Sequence, residues 1–251
     1  MRRRRGAAIV AGMIVLFTDF GLPYSGQMRA VIERLAPGTP VVELFTDAPA
    51  FDIQAAAYLL PAYAGEFPAG SVFLCVVDPG VGGARAAMAL KADGRWFVGP
   101  DNGLFALVAR RAAEAAAWEI SWRPEALSAS FHGRDLFAPV AARLAKGEAP
   151  AGPARDPAAG PGGDWPDDLT RVIYIDCFGN AMTGIRAASL PDGAALTLAG
   201  RRIARARTFS EVPAGEAFWY ENANGLAEVA VNRGRAEELL ELRVGSVLAI
   251  D

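Results

Sequence analysis

The sequence predicts an α/β protein in two parts: an N-terminal α/β domain with a largely parallel sheet, and a smaller, mostly β, C-terminal domain. Three observations predict it. From 13 to 147, buried-strand runs alternate with helix-spaced segments, the pattern of a parallel sheet with crossover helices. From 148 to 169, "EAPAGPARDPAAGPGGDWPDD" breaks every periodicity and reads as a linker. From 170 to 251 the signals are almost all β.

The elements follow in order. "MIVLFT" is an unbroken apolar run, as a strand covered on both faces requires. "YSGQMRAVIERLAPG" sets Met28, Val31, Ile32 and Leu35 on one helical face and stops at Pro37-Gly38. "PVVELF" is a second strand. "DIQAAAYLLPAYAGEF" is a helix with Asp52 as its N-cap. "SVFLCVV" is a third strand, and "AMALKADGRWFVG" a hairpin about Asp93-Gly94. "NGLFALVARRAAEAA" reads as helix, "AWEIS" as strand, and "RDLFAPVAARLAKG" as helix with Asp135 as a candidate cap. Beyond the linker come "RVIYID", "AALTLAG", "RRIARARTF", "AFWYEN", "LAEVAVN" and "SVLAI", with one short helix at "RAEELLEL".

Composition excludes several function classes. The chain has 251 residues, 52% of them hydrophobic, which supplies a large core and argues against disorder. A net charge of −3 leaves no broad basic footprint, so no nucleic-acid partner is expected. Cys75 lies in an apolar run and Cys177 is the one other cysteine, so we expect no disulfide and a reducing, cytoplasmic compartment. The start "MRRRRGAAIVAGMIVLF" imitates a signal peptide, but the apolar run passes straight into "TDFG" without a cleavage site and is too short to span a bilayer. We therefore expect no membrane association, and take Met13 as an alternative start with an unstructured extension before it.

The chemistry gathers at polar interruptions. In "VVDPGVGGAR", Asp78 ends a strand and a glycine run separates it from Arg85. The spacing fails the dinucleotide fingerprint, and a carboxylate at the mouth repels phosphate. Two readings stay open: a surface turn with a salt bridge, or a ligand site at a strand's carboxyl end, where open α/β sheets bind ligands. His132, in "FHGRDLFAP", is the chain's one histidine, and is either structural or part of a loop site. One histidine and two cysteines make no zinc set, so no metal is expected. "TDFG", "GPDNG", "DCFGN" and "ENANG" are turns or site loops. The last two lie in the C-terminal domain, so a site built from all four falls between domains or between subunits.

Taken in order, "TDFG", "GQM", "PAFDI", "VVDPGVG…R", "FVGPDNG", "FHGRD", "FGN" and "NANG…EVAVN" resemble the S-adenosyl-L-methionine hydrolases that form adenosine and methionine, also called S-adenosylmethionine hydroxide adenosyltransferases. The fluorinating and chlorinating enzymes are their relatives. The resemblance implies a barrel-like C-terminal domain, and a homotrimer with substrate between one subunit's N-terminal domain and its neighbour's C-terminal domain. It implies catalysis by Asp78, Arg85 and His132, with no cofactor. It further implies ribose binding by Asp19, nucleoside packing on Phe51, adenine contacts from Phe178 and Asn180, and methionine binding by Asn222, Ala223 and Asn224. Halogenating relatives carry tyrosine, threonine and serine where this chain has Asp78, Val81 and Gly133, so the resemblance favours water over halide. Departures fall at the amino-acid end. "LPYSG" lacks the family's acidic residue, for which Asp176 is the candidate substitute; Thr46 replaces a histidine, and Ala223 a serine. A halide-dependent transferase and a non-catalytic S-adenosylmethionine-binding protein are the competing readings.

Overall fold

The computed structural model describes residues 12–198 and 200–251; the arginine-rich start lies outside them, apart from Gly12. In chain order the first elements are β1 (Ile14–Thr18), α1 (Leu22–Leu35), β2 (Val41–Phe45), α2 (Ile53–Ala64), β3 (Val72–Val76), β4 (Ala87–Ala92) and β5 (Arg95–Pro100). There follow α3 (Ala106–Arg111), β6 (Ala115–Glu119), a π-helical turn (Gly133–Phe137) running directly into α4 (Ala138–Ala145), and β7 (Ala154–Arg155). The remainder is β8 (Leu169–Ile175), β9 (Ala181–Arg186), β10 (Leu196–Leu198), β11 (Arg201–Ile203), β12 (Ala217–Glu221), β13 (Leu226–Val231), α5 (Ala236–Leu239) and β14 (Leu248–Ile250).

The chain divides into two compact units that interleave in sequence. The first takes the chain up to Asp47, then Phe67–Asp101 and Arg111–Ala159; the second takes Ala48–Glu66, Asn102–Arg110 and Gly160–Asp251.

The first unit is built on a seven-stranded sheet, ordered β2-β1-β3-β5-β4-β6-β7. It is parallel from β2 to β5 and antiparallel from β5 to β7, so the largely parallel sheet expected is parallel in one half. The hairpin is the cause. Asp93 and Gly94 both take positive φ, 45° and 79°, as a tight two-residue turn demands. Asp93 Oδ1 also accepts from the Ala113 and Glu114 N–H groups, which starts β6 beside β4. The alanines of β6, read partly as helix, pair with β4; strand pairing overrides alanine's helix propensity. Parallel β1 and β3 are fully buried, with Thr18 opposite Val76, so Asp19 and Asp78 leave the carboxyl ends of adjacent strands. Helix α1 buries Ser25, Met28, Val31 and Ile32, while Leu35 is 38% exposed and Ala36 takes the inward place. Strand β7 gives the expected linker an ordered edge, pinned by the Arg155–Asp101 ion pair.

In the second unit, β12-β13-β9-β8 form one antiparallel sheet and β11-β10-β14 another. Single bridges, Arg171 to Val247 and Arg205 to Trp219, link their ends and make the unit barrel-like. Helix α2 belongs here: Asp52 caps it through the Ala55 N–H and pairs bidentately with Arg171 at 2.8 and 2.9 Å. Tyr58 of α2 donates to the Pro166 carbonyl and stacks on Trp165. Helix α2 is buried continuously from Ala55 to Leu60, and an apolar helix of that kind needs cover around most of its circumference. No described helix is long and apolar enough to cross a membrane.

Candidate active site

The structure places the sequence-predicted residues in two groups, one in each unit. Asp19, Asp78, Arg85 and His132 lie in the first; Phe51, Asp176, Phe178, Asn180, Asn222, Ala223 and Asn224 lie in the second.

In the first group, Asp78 follows β3 with its side chain 3% exposed, and Arg85, just before β4, is 12% exposed. Arg85 Nε donates to both Asp78 oxygens at 3.0 Å, and its Nη2 donates to Oδ2 as well. The same Nη2 lies 2.9 Å from His132 Nδ1. A guanidinium has no acceptor, so Nδ1 is the acceptor and the imidazole is neutral with its proton on Nε2. Burial lowers the His132 pKa first and the Arg85 charge lowers it further, against an opposing pull from Asp78. The arginine stands 5.3 Å from the Phe137 ring centroid, whose π-face favours a cation. One guanidinium thus holds an aspartate and a histidine in fixed orientation.

The glycine run serves this packing. Gly82 has φ +78°, and a Cβ there would lie 2.4 Å from the Ala129 carbonyl oxygen. Only glycine allows the 79–84 loop to approach the backbone that leads to His132. That histidine stands at the start of the π-helical turn, a rare element that recurs at functional sites. Asp135 does not cap it. Its carboxylate reaches back to the Ser128 N–H at 2.9 Å and pairs with Arg134, which closes the preceding loop instead. A Cβ at Gly133 would stand 3.1 Å from the Phe131 ring and 3.2 Å from Met28 Sδ. Asp19 is half-buried at the end of β1. Beside it Phe20, Tyr24 and Phe131 meet edge to face, which ties the Asp19 loop to the His132 loop. The shortened "LPYSG" stretch passes directly into α1, with Gly21 at its N-cap.

The second group is held by turns. Asp176 Oδ1 accepts from the Phe178 and Asn180 N–H groups at 2.9 Å, and Oδ2 from the Asn180 amide at 3.1 Å. That carboxylate shapes the β8–β9 loop, whatever it offers a ligand. Asn222 is buried; its Oδ1 accepts from Asn224 and Leu226 N–H groups at 2.9 and 3.0 Å. Ala223 at the tip of this turn is exposed. Phe178, 71% exposed, lines a cavity of about 670 Å³ with Asp176, Asn180, Tyr220, Arg233 and Arg235. Phe51 is 78% exposed and takes φ 61°, a strained conformation for a bulky residue. Among the described residues, no three His, Cys, Asp or Glu side chains gather as a metal would need.

Sequence reasoning missed three members of this group: Tyr63, Tyr220 and Glu228. The Tyr63 pKa is pushed up to about 12 by burial, then by the charges of Glu228 and Asp176. Burial raises the Glu228 pKa, against hydrogen bonds from Tyr220 and Asn222 that lower it. The signal was available: an acidic residue in the middle of "LAEVAV", a strand buried at every position.

Among known proteins, the SAM hydroxide adenosyltransferase N-terminal domain matches residues 14–152 and the C-terminal domain residues 170–249. The chain belongs to the SAM hydroxide adenosyltransferase family. The (R)-S-adenosyl-L-methionine hydrolase of Thermus thermophilus is 43% identical to this family member over 92% of the chain and 96% of its own length. The enzyme of that name from Salinispora arenicola is 41% identical, over 93% and 95%. Two solved structures share the fold. An uncharacterized conserved protein from Thermotoga maritima superposes with a TM-score of 0.84 at 31% identity, covering 95% of this chain and 99% of its own. A conserved hypothetical protein from Thermus thermophilus gives 0.78 at 38% identity, covering 96% and 100%.

Proposed function

We propose that this chain is an adenosine-forming S-adenosyl-L-methionine hydrolase. The observation that carries the reading is the Asp78–Arg85–His132 set, in a family member whose full-length relatives bear the hydrolase name. A water oxygen attacks C5′ of the ribose, and the C5′–S bond breaks. Its electron pair goes to sulfur, which leaves as the neutral thioether of methionine; the water's proton is released. Neutral water is a weak nucleophile and needs orientation and a proton acceptor. His132 Nδ1 is occupied by Arg85, so the imidazole contributes its Nε2–H as a donor that holds the water oxygen. Asp78 is then the proton acceptor of the set. The displacement exchanges no electrons with the protein and requires neither metal nor redox cofactor.

Substrate binding is assigned to Asp19, Phe51, Asp176, Phe178, Asn180, Asn222, Ala223 and Asn224. Following what the family resemblance implies, we assign the protein as a homotrimer with substrate between subunits, without nucleic-acid or membrane partners; the division of these residues and the catalytic set between two units supports this reading. Cys75 and Cys177 are both free thiols, which supports a cytoplasmic, reducing compartment. Incubation with S-adenosylmethionine in ¹⁸O-water, with and without chloride, tests the reaction. Labelled adenosine is expected in both; a 5′-chloro nucleoside, or binding without turnover, would establish one of the competing readings.

A further inference from the structure

Glu228 is 2% exposed on β13, and burial raises its pKa. Its partners, Tyr220, Asn222 and Asn180, are neutral donors. Tyr220 Oη donates to Oε1 at 2.5 Å, and Asn222 Nδ2 donates to Oε2 at 2.7 Å. In both contacts Glu228 is the acceptor, which fixes their direction. The phenolic proton of Tyr220 is held inward, and only the lone pairs of its oxygen remain for another group. Tyr220 also lines the 670 Å³ cavity with Phe178 and Asn180. The amide of Asn222 is locked in turn: its N–H₂ faces Glu228, and its oxygen faces the two N–H groups of the 222–226 turn.

We propose that Glu228 is a positioning residue that makes Tyr220 a hydrogen-bond acceptor toward the ligand, so that the cavity selects a ligand carrying an N–H donor at that place. The inference rests on the reading of the ligand as S-adenosylmethionine, which offers two such donors: the exocyclic amine of adenine and the ammonium of methionine. Glu228→Gln inverts the arrangement without changing its shape. Asn222 Nδ2 can only donate, so the glutamine oxygen must turn to it. The glutamine N–H₂ then faces Tyr220, whose oxygen accepts and whose proton swings outward. A donor then meets a donor.

Equilibrium binding of three non-reacting thioethers tests this: S-adenosyl-L-homocysteine, its 6-oxo (inosyl) counterpart, and its counterpart lacking the amino group. E228Q should fold with the wild-type spectrum and bind S-adenosyl-L-homocysteine about tenfold or more weakly, because an unpaired buried donor is left. It should bind one of the two altered ligands with little change from wild type, and that ligand identifies the donor. Tyr220→Phe, which leaves the Glu228–Asn222 contact in place, should erase the difference between E228Q and wild type. Equal affinity of E228Q and wild type for all three ligands overturns the proposal. So does an E228Q effect that persists undiminished in the Y220F background. If the wild-type protein binds none of the three, the functional reading falls first. Ultraviolet titration of the phenol then reads the Glu228–Tyr220 contact alone: E228Q should lower its midpoint, and an unmoved midpoint overturns the proposal.

Discussion

The two units hold their candidate site residues by different physics. In the first, three side chains fix one another: the Arg85 fork reaches Asp78 and His132 in a nearly dry setting. In the second, side chains fix backbone: Asp176 and Asn222 each satisfy two N–H groups of their own loop. The first arrangement is an electrostatic unit that fails as a whole when one member goes. The second is a pair of turns, each held by one side chain of its own. That difference ranks the expected effects of substitution.

The largest effect belongs to Arg85. Arg85→Lys keeps the charge but not the planar fork, and lysine cannot span both partners. Adenosine formation should fall by roughly 10²-fold or more, close to Asp78→Ala and His132→Ala, since positioning and acid–base groups act on that scale. Retention of most activity by the lysine variant would break the contrast, because charge alone would then suffice.

Next comes the loop that brings the set together. Gly82→Ala places a methyl 2.4 Å from the Ala129 oxygen at a positive φ. Thermal unfolding should report a loss of about 1–3 kcal/mol, with kcat falling while substrate affinity holds. In the second unit, Asp176→Ala leaves the Phe178 and Asn180 donors without their acceptor. KM should rise roughly 5- to 100-fold, the cost of about 1–3 kcal/mol of unsatisfied donors, and kcat should change far less. Equal losses of kcat and kcat/KM would show that the turn also serves the chemistry.

A smaller effect separates stability from function. Phe51 holds φ 61° with its ring exposed. Phe51→Gly should raise stability by about 1 kcal/mol through relief of that strain, and should weaken binding of the adenosyl group. The smallest effect concerns pH. The His132 pKa is lowered on folding, so the neutral ring's contribution to stability is complete above its ordinary value of 6.5 and is lost as pH falls through the depressed value. The acid limb of the kcat/KM profile should therefore have its midpoint below 6.5, and unfolding midpoints should be level above it.

Much of this was legible in the sequence where a local rule admits one answer. Asp93-Gly94 announces its hairpin because only such pairs take two positive φ values. Asp52 announces its helix through cap chemistry. The Asp78, Arg85 and His132 positions were found by motif, but their wiring was not, because no local rule states which nitrogen faces which oxygen. The partner of α2 was also hidden, since an apolar helix carries no mark of the strands that will cover it. Strand β9 escaped notice where Thr183 and Gly184 dilute its β signal, although Thr183 is buried and donates to the Ala227 carbonyl. Glu228 was passed over inside a strand read only for its apolar neighbours.

The interleaving of the two units has a consequence for synthesis. Helix α2 leaves the ribosome with its apolar surface complete, yet the strands it packs on, β8 and β9, end more than a hundred residues later. At translation rates of about 5–20 residues per second, that helix waits on the order of ten seconds for its cover. The first unit is complete in sequence at Ala159, but the second needs segments made last, so the growing chain carries an exposed greasy helix through about half of its synthesis. Release from the ribosome, rather than completion of the first domain, becomes the moment at which folding can close.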